Sequence, residues 1–91
     1  MKLIFCPHCQ DVFKLGRKLK HCSCGFCKGL YTDSIHAETN GKGIALGIIN
    51  RDLIDVMRGY GKKDFNYWSV RCFARPHEGP TNPNSTVNAD L

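Results

Sequence analysis

The chain has 91 residues, 42% of them hydrophobic and 23% charged, with a formal net charge of +5. This is globular composition rather than that of a disordered segment, and the length allows one small domain, or one domain and a tail. No stretch reaches the roughly 18 to 20 apolar residues that span a bilayer. The opening Met1-Lys2-Leu3-Ile4-Phe5-Cys6 has too short an apolar run for a secretory signal. A cytoplasmic protein with no membrane partner is therefore expected, in a compartment where clustered thiols stay reduced and favour metal over disulfide.

In chain order, residues 2–5 are apolar and compatible with a strand that leads into Cys6. Val12-Phe13-Lys14-Leu15 and Arg17-Lys18-Leu19-Lys20-His21 flank Gly16 and read as a strand, a turn and a return strand. Lys28 to Thr32 forms another strand, Asp33-Ser34 a turn, and Ile35 to Thr39 extends the sheet. Asn40-Gly41-Lys42-Gly43 reads as a hairpin turn before the apolar run Ile44 to Ile49. One helix is predicted over about residues 50–58, with Asn50 as N-cap, Asp52 in the first turn, Leu53, Ile54 and Met57 on one face, and Gly59 after the end. Phe65 to Ala74 reads as the longest strand, with Trp68, Val70, Cys72 and Ala74 on one face. Trp68 is expected in the core and Cys72 as a buried inert thiol. From Pro76 the composition shifts to Pro, Asn, Gly, Ser and Thr, the pattern of a flexible tail over 76–91.

Five of the six cysteines lie in the first 27 residues, as Cys6-Pro7-His8-Cys9 and Cys22-Ser23-Cys24-Gly25-Phe26-Cys27. Two close groups separated by a short span suit a tetrahedral site filled from two tight turns, and a structural metal supplements the limited core of a short chain. Cys6 and Cys9 make the first pair. The second pair is any two of Cys22, Cys24 and Cys27, and spacing leaves the choice open. His8 and His21 lie nearby but are expected to act as hydrogen-bonding or exposed groups, since five thiols are at hand.

Over residues 3–32, Cys6-Pro7-His8-Cys9, the twelve-residue span and Cys22-Ser23-Cys24-Gly25 resemble the zinc-ribbon superfamily. The resemblance implies one structural Zn2+ held by Cys6, Cys9, Cys22 and Cys24, with Cys27 as the alternate, and transfers no activity. Gln10 departs from the glycine usual after the first pair, which implies a slightly distorted turn. The fold class expected is α+β. A zinc ribbon over 1–32 continues into antiparallel strands and one helix over 33–75 in the same compact domain, and 76–91 is the tail.

Leu3-Ile4-Phe5-Cys6-Pro7-His8-Cys9 also resembles the active-site segment of thiol-disulfide oxidoreductases, in which Cys-Pro-His-Cys opens a helix. Gly16 would interrupt that helix, and a second cysteine group at zinc-like spacing argues against it. His36-Ala37-Glu38 and His77-Glu78 lack partners at a diagnostic spacing. With no other catalytic constellation readable, a non-enzymatic role is expected, with no small-molecule substrate.

Charge narrows the role. Residues 1–30 carry Lys2, Lys14, Arg17, Lys18, Lys20 and Lys28 against Asp11 alone, so the whole excess of +5 sits on the cysteine module. Lys14, Arg17, Lys18, Lys20 and Lys28 are the expected phosphate contacts of a nucleic-acid-binding face, with Phe13, Phe26 or Tyr31 stacking on unpaired bases. The alternative is a protein-interaction module, with anchors among Tyr60, Phe65, Tyr67 and Trp68.

Overall fold

Eight short strands and one helix make up a computed structural model that describes residues 1–91. The strands are β1 (Lys2–Phe5), β2 (Val12–Lys14), β3 (Lys20–His21), β4 (Lys28–Tyr31), β5 (Ala37–Thr39), β6 (Ile44–Ile48), β7 (Cys72–Arg75) and β8 (Ser85–Val87), with α1 (Asn50–Gly59) between β6 and β7. They form two four-stranded sheets, ordered β2-β1-β6-β7 and β3-β4-β5-β8. All pairs are antiparallel except β5 with β8. The fold is α+β, and the N-terminal cysteine cluster fits a ribbon.

Two hairpins, β1-β2 and β3-β4, each hold one cysteine group in the turn. The expected hairpin about Gly16 does not form. Strand β2 pairs with β1, β3 pairs with β4, and the segment between them crosses from one sheet to the other. Leu15 donates its amide to the Lys2 carbonyl on one side, and the Gly16 carbonyl accepts from Tyr31 on the other. Asn40 to Gly43 is likewise a crossover between β5 and β6, which lie in different sheets, and not a hairpin turn. Local turn chemistry marks where the chain bends but does not choose the strand it returns to.

The core is small. Only 13 of 91 residues are buried, and its apolar members are Ile4, Cys6, Leu15, Cys22, Cys27, Ala37 and Ala45. Ile4 and Leu15 are the only large aliphatic side chains among them. Leu15 packs on Gly29 of the facing sheet, where an added Cβ would lie 2.8 Å from the Leu15 side chain. Cysteines thus supply much of the interior, and the molecule is elongated, at 49 × 28 × 21 Å.

The helix starts one residue earlier than a capping asparagine would place it. Ile49 is the N-cap and has no side-chain cap, while Asn50 is already helical and accepts a hydrogen bond from the Met1 nitrogen at 2.9 Å. Asp52 does the anchoring instead, with its carboxylate accepting from the Arg71 amide, Nε and Nη2 at 2.8 to 2.9 Å. This pair holds the carboxyl of Asp52 down at about 2. Of the expected apolar face, Leu53 is half-buried whereas Ile54 and Met57 are exposed.

The long strand predicted over 65–74 is confined to Cys72–Arg75. Trp68 lies against the end of the helix, so close to Gly59 that a Cβ there would stand 2.0 Å from the indole. Trp68 is about half exposed and not a core residue, and Cys72 is exposed and not buried. Residues 76–91, expected as a tail, carry β8, bury Asn82 and Ser85, and place His77 between the Thr39 hydroxyl and the Gly43 carbonyl. A polar composition does not prevent packing when the polar groups are hydrogen-bonded.

Candidate metal centre and its basic flank

The first cysteine turn closes by a hydrogen bond from the Gln10 amide to the Cys6 carbonyl at 2.8 Å, and the second by one from the Gly25 amide to the Cys22 carbonyl at 3.0 Å. The residue after each outer thiol is left-handed, Gln10 with φ 61° and Gly25 with φ 79°. Gln10 therefore takes the conformation that glycine favours, and the first turn keeps its geometry despite the substitution. Asp11 ties the turns together, its carboxylate accepting from the Ser23 amide at 3.0 Å and the Ser23 hydroxyl at 3.2 Å. His8 from one turn stacks on Phe26 from the other, with centroids 3.9 Å apart.

These turns bring the Sγ atoms of Cys6, Cys9, Cys22 and Cys24 within 4.8 Å of one another. Cys24 lies 3.7 Å from Cys6 and 3.5 Å from Cys22. A tetrahedron with metal–sulfur bonds of about 2.3 Å has its sulfurs about 3.8 Å apart, so the cluster has the dimensions of a site for one ion. All of the cysteines are free thiols. Four cysteines are thus arranged to bind a metal ion.

Cys27 stands outside that set. It is fully buried behind the cluster, its sulfur 2.9 Å from where a Cβ on Gly43 would be. Burial pushes its thiol up to about 12, and the neighbouring Cys6 and Cys22 add to the rise. Its amide donates to the Cys22 sulfur at 3.4 Å. At Cys22 burial works against ionisation, but the Cys27 amide and the surrounding thiols outweigh it and draw the group down to about 6. A divalent ion at the cluster would supply positive charge that favours the thiolate forms.

Two supporting residues carry no signal in the spacing of the cysteines. Asn40 is buried and braces the second turn, accepting from the Lys28 amide at 3.2 Å and donating to the Phe26 carbonyl at 2.9 Å. Gly43 admits the close approach of Ile4 and Cys27, where any Cβ would fall within 3.0 Å of both. The Asn-Gly-Lys-Gly string advertised a turn, and its actual service to the cysteine turn becomes visible only in three dimensions. His8 and His21 do not join the thiol set, and His21 Nδ1 sits 2.7 Å from the Cys22 carbonyl.

Cys6-Pro7-His8-Cys9 connects two antiparallel strands, so no helix begins there, and the arrangement of the oxidoreductase active-site segment is absent. The expected basic residues divide. Lys14, Arg17, Lys18 and Lys20 are exposed on the connection between the hairpins, and Lys28 is half-buried on β4 opposite His21. None of the five forms an ion pair. Among the expected stacking residues, Phe13 packs on the core and Phe26 is covered on one face by His8. Tyr31 lines an open cleft.

No family model, curated protein or solved structure matches the chain. No helix is long and apolar enough to cross a membrane.

Proposed function

We propose that the protein is a zinc-stabilised binding module that contacts nucleic acid through the connection between its two hairpins. The carrying observation is that Lys14, Arg17, Lys18 and Lys20 are exposed within seven residues and have no acidic partner. Unpaired cations on a short, doubly anchored segment keep their full charge for phosphate, and little chain entropy is lost on binding. Zinc is the ion assigned, because four thiolates in a closed tetrahedron suit a soft, redox-silent cation. Native mass spectrometry of the purified protein should find one zinc per chain; a coloured, iron-loaded protein would reject that assignment.

Fluorescence anisotropy with labelled single-stranded RNA and DNA tests the nucleic-acid reading. About four phosphate contacts predict a slope of log affinity against log salt of roughly −3. Arg17→Glu with Lys18→Glu should abolish binding while zinc content stays unchanged. Absence of binding at low salt to single- and double-stranded DNA and RNA rejects the reading.

A second reading rests on a separate face. Tyr67 is 83% exposed, Tyr60 74% and Met57 71%, around Phe65 and Trp68, whose rings meet at a tilt with centroids 5.0 Å apart. Such aromatic groups are common anchors for protein partners. A partner that survives nuclease treatment and is lost in Tyr60→Ser with Tyr67→Ser favours this face over the basic one.

A further inference from the structure

A cleft of about 510 Å³ opens between the two sheets, at the edge away from the cysteine turns. Its volume falls in the range of about 300–1,000 Å³ typical of sites for small organic ligands. The floor follows from register. Lys2 on β1 pairs with Gly47 on β6, and Gly47 pairs with Phe73 on β7, so the three form one row across the sheet and face the same side. Gly47 has no side chain, which leaves a gap between Lys2 and Phe73. Arg75, two residues along from Phe73 and on the same face, lies over the gap, where a Cβ on Gly47 would come within 3.3 Å of its Cδ. The facing wall comes from the other sheet and its loop, through Tyr31 and Ile35, with Asn84 at the side.

Two features define the ligand. No carboxylate lines the cleft, and neither Lys2 nor Arg75 is in an ion pair. Each cation makes one side-chain hydrogen bond to a neutral oxygen, Lys2 to the Ser85 hydroxyl at 2.8 Å and Arg75 to the Thr81 carbonyl, and the Lys2 ammonium also lies 5.9 Å from the centre of the Tyr31 ring. Burial, and then the nearby charge of Arg75, lowers the pKa of Lys2. Like charges held together without a counter-ion are the electrostatic signature of an anion site. The walls set the rest of the ligand, because Tyr31 and Phe73 offer one aromatic ring from each sheet for a flat apolar body.

We propose that this cleft binds a nucleoside phosphate, with the phosphate between Lys2 and Arg75 and the base between Tyr31 and Phe73. The site goes beyond the basic connection, whose residues do not line it. The connection nevertheless lies beside one wall of the cleft, since the Gly16 carbonyl accepts from the amide of Tyr31 at 2.7 Å. A nucleoside phosphate can therefore come from solution or from an unpaired position in a strand that lies along Lys14 to Lys20.

The test is an amide NMR titration of the zinc-loaded full chain with AMP, adenosine and inorganic phosphate. Saturable shifts should centre on Lys2, Tyr31, Gly47 and Phe73, with AMP at least tenfold tighter than either fragment. Arg75→Gln and Lys2→Gln, each with an otherwise native spectrum, should weaken AMP about tenfold. Arg17→Glu with Lys18→Glu should leave AMP binding unchanged, which separates this site from the basic connection. AMP no tighter than phosphate, shifts centred on Arg17 and Lys18, or indifference to both Arg75→Gln and Lys2→Gln would overturn the proposal. A hexa-adenylate arm then names the source. Tighter binding that depends on Arg17 and Lys18 assigns a strand, and affinity equal to AMP assigns the free nucleotide.

Discussion

Gln10 is the residue at which local preference and the metal site are most at odds. A non-glycine residue in the left-handed region costs about 1–2 kcal/mol, and replacement by glycine returns part of that as unfolded-chain entropy. Gln10→Gly should therefore stabilise the metal-loaded protein by somewhat under about 1 kcal/mol, read as a higher midpoint of thermal unfolding with zinc content unchanged. The thiols divide by the same residue-level logic. Cys24→Ala removes one corner of the four-sulfur set and should weaken zinc retention by more than about 100-fold in a chelator competition. Cys27→Ala only trims a buried group beside Gly43 and should keep one zinc per chain, at a stability cost of about 1 kcal/mol. Equal zinc loss in the two variants would mean that Cys27 is a ligand.

At the scale of elements, the one helix depends on a residue outside it. With no side-chain cap at Ile49, Asp52 links the first turn of α1 to Arg71, just ahead of β7. Its carboxyl is held near 2 by the Arg71 guanidinium and amide, below the ordinary value of 3.8. A depressed pKa contributes stability that is complete above the unfolded value and is lost as pH falls toward 2. Asp52→Asn should therefore lower the melting temperature by the same amount at pH 7 and pH 5. The gap should shrink only as pH falls from about 4 toward 2, and a gap that stays constant through that lower range would show that the carboxylate is not held low. Asp33 behaves alike, at about 2, through the Ile35 and His36 amides and the His36 ring. It shapes the turn that leads into β5.

For the whole molecule, two sheets that share only Ile4, Leu15, two alanines and three cysteines as apolar core form a weak hydrophobic unit. Burial of a large aliphatic side chain contributes about 1.5–3 kcal/mol, and just two such residues are fully buried here. A metal ion bound at the four cysteines would therefore contribute directly to folding, because the site does not exist in the unfolded chain. Chelation of the ion should collapse amide dispersion across both sheets, β7 and β8 included, and readdition of zinc should restore it. Loss confined to residues 6–27 would show that the second half folds without the clamp.

Much of this organisation was legible in the chain itself. The two cysteine groups, the strands at 2–5, 28–31 and 44–48 and the helix at 50–59 follow from spacing, short-range pattern and composition, which act over a few residues. Strand partnership was not legible. The Gly16 and Asn40–Gly43 bends read as hairpins but carry the chain between sheets, because pairing is decided by what packs on Leu15, Gly29 and Gly43. The predicted strand begins only at Cys72, with Trp68 packed against the helix end instead, and the residues around His77, Asn82 and Ser85, read as a tail, are hydrogen-bonded into the fold and carry β8. Sequence by itself determined that thiols would gather at two turns and that the positive charge would lie beside them. Only the tertiary structure showed that Cys24, and not Cys27, joins the close group of sulfurs, and that a cationic cleft opens at the far edge. Both depend on residues distant in the chain meeting at a few ångströms, Cys27 with Gly43 and Lys2 with Arg75, and a local pattern carries no information about such a meeting.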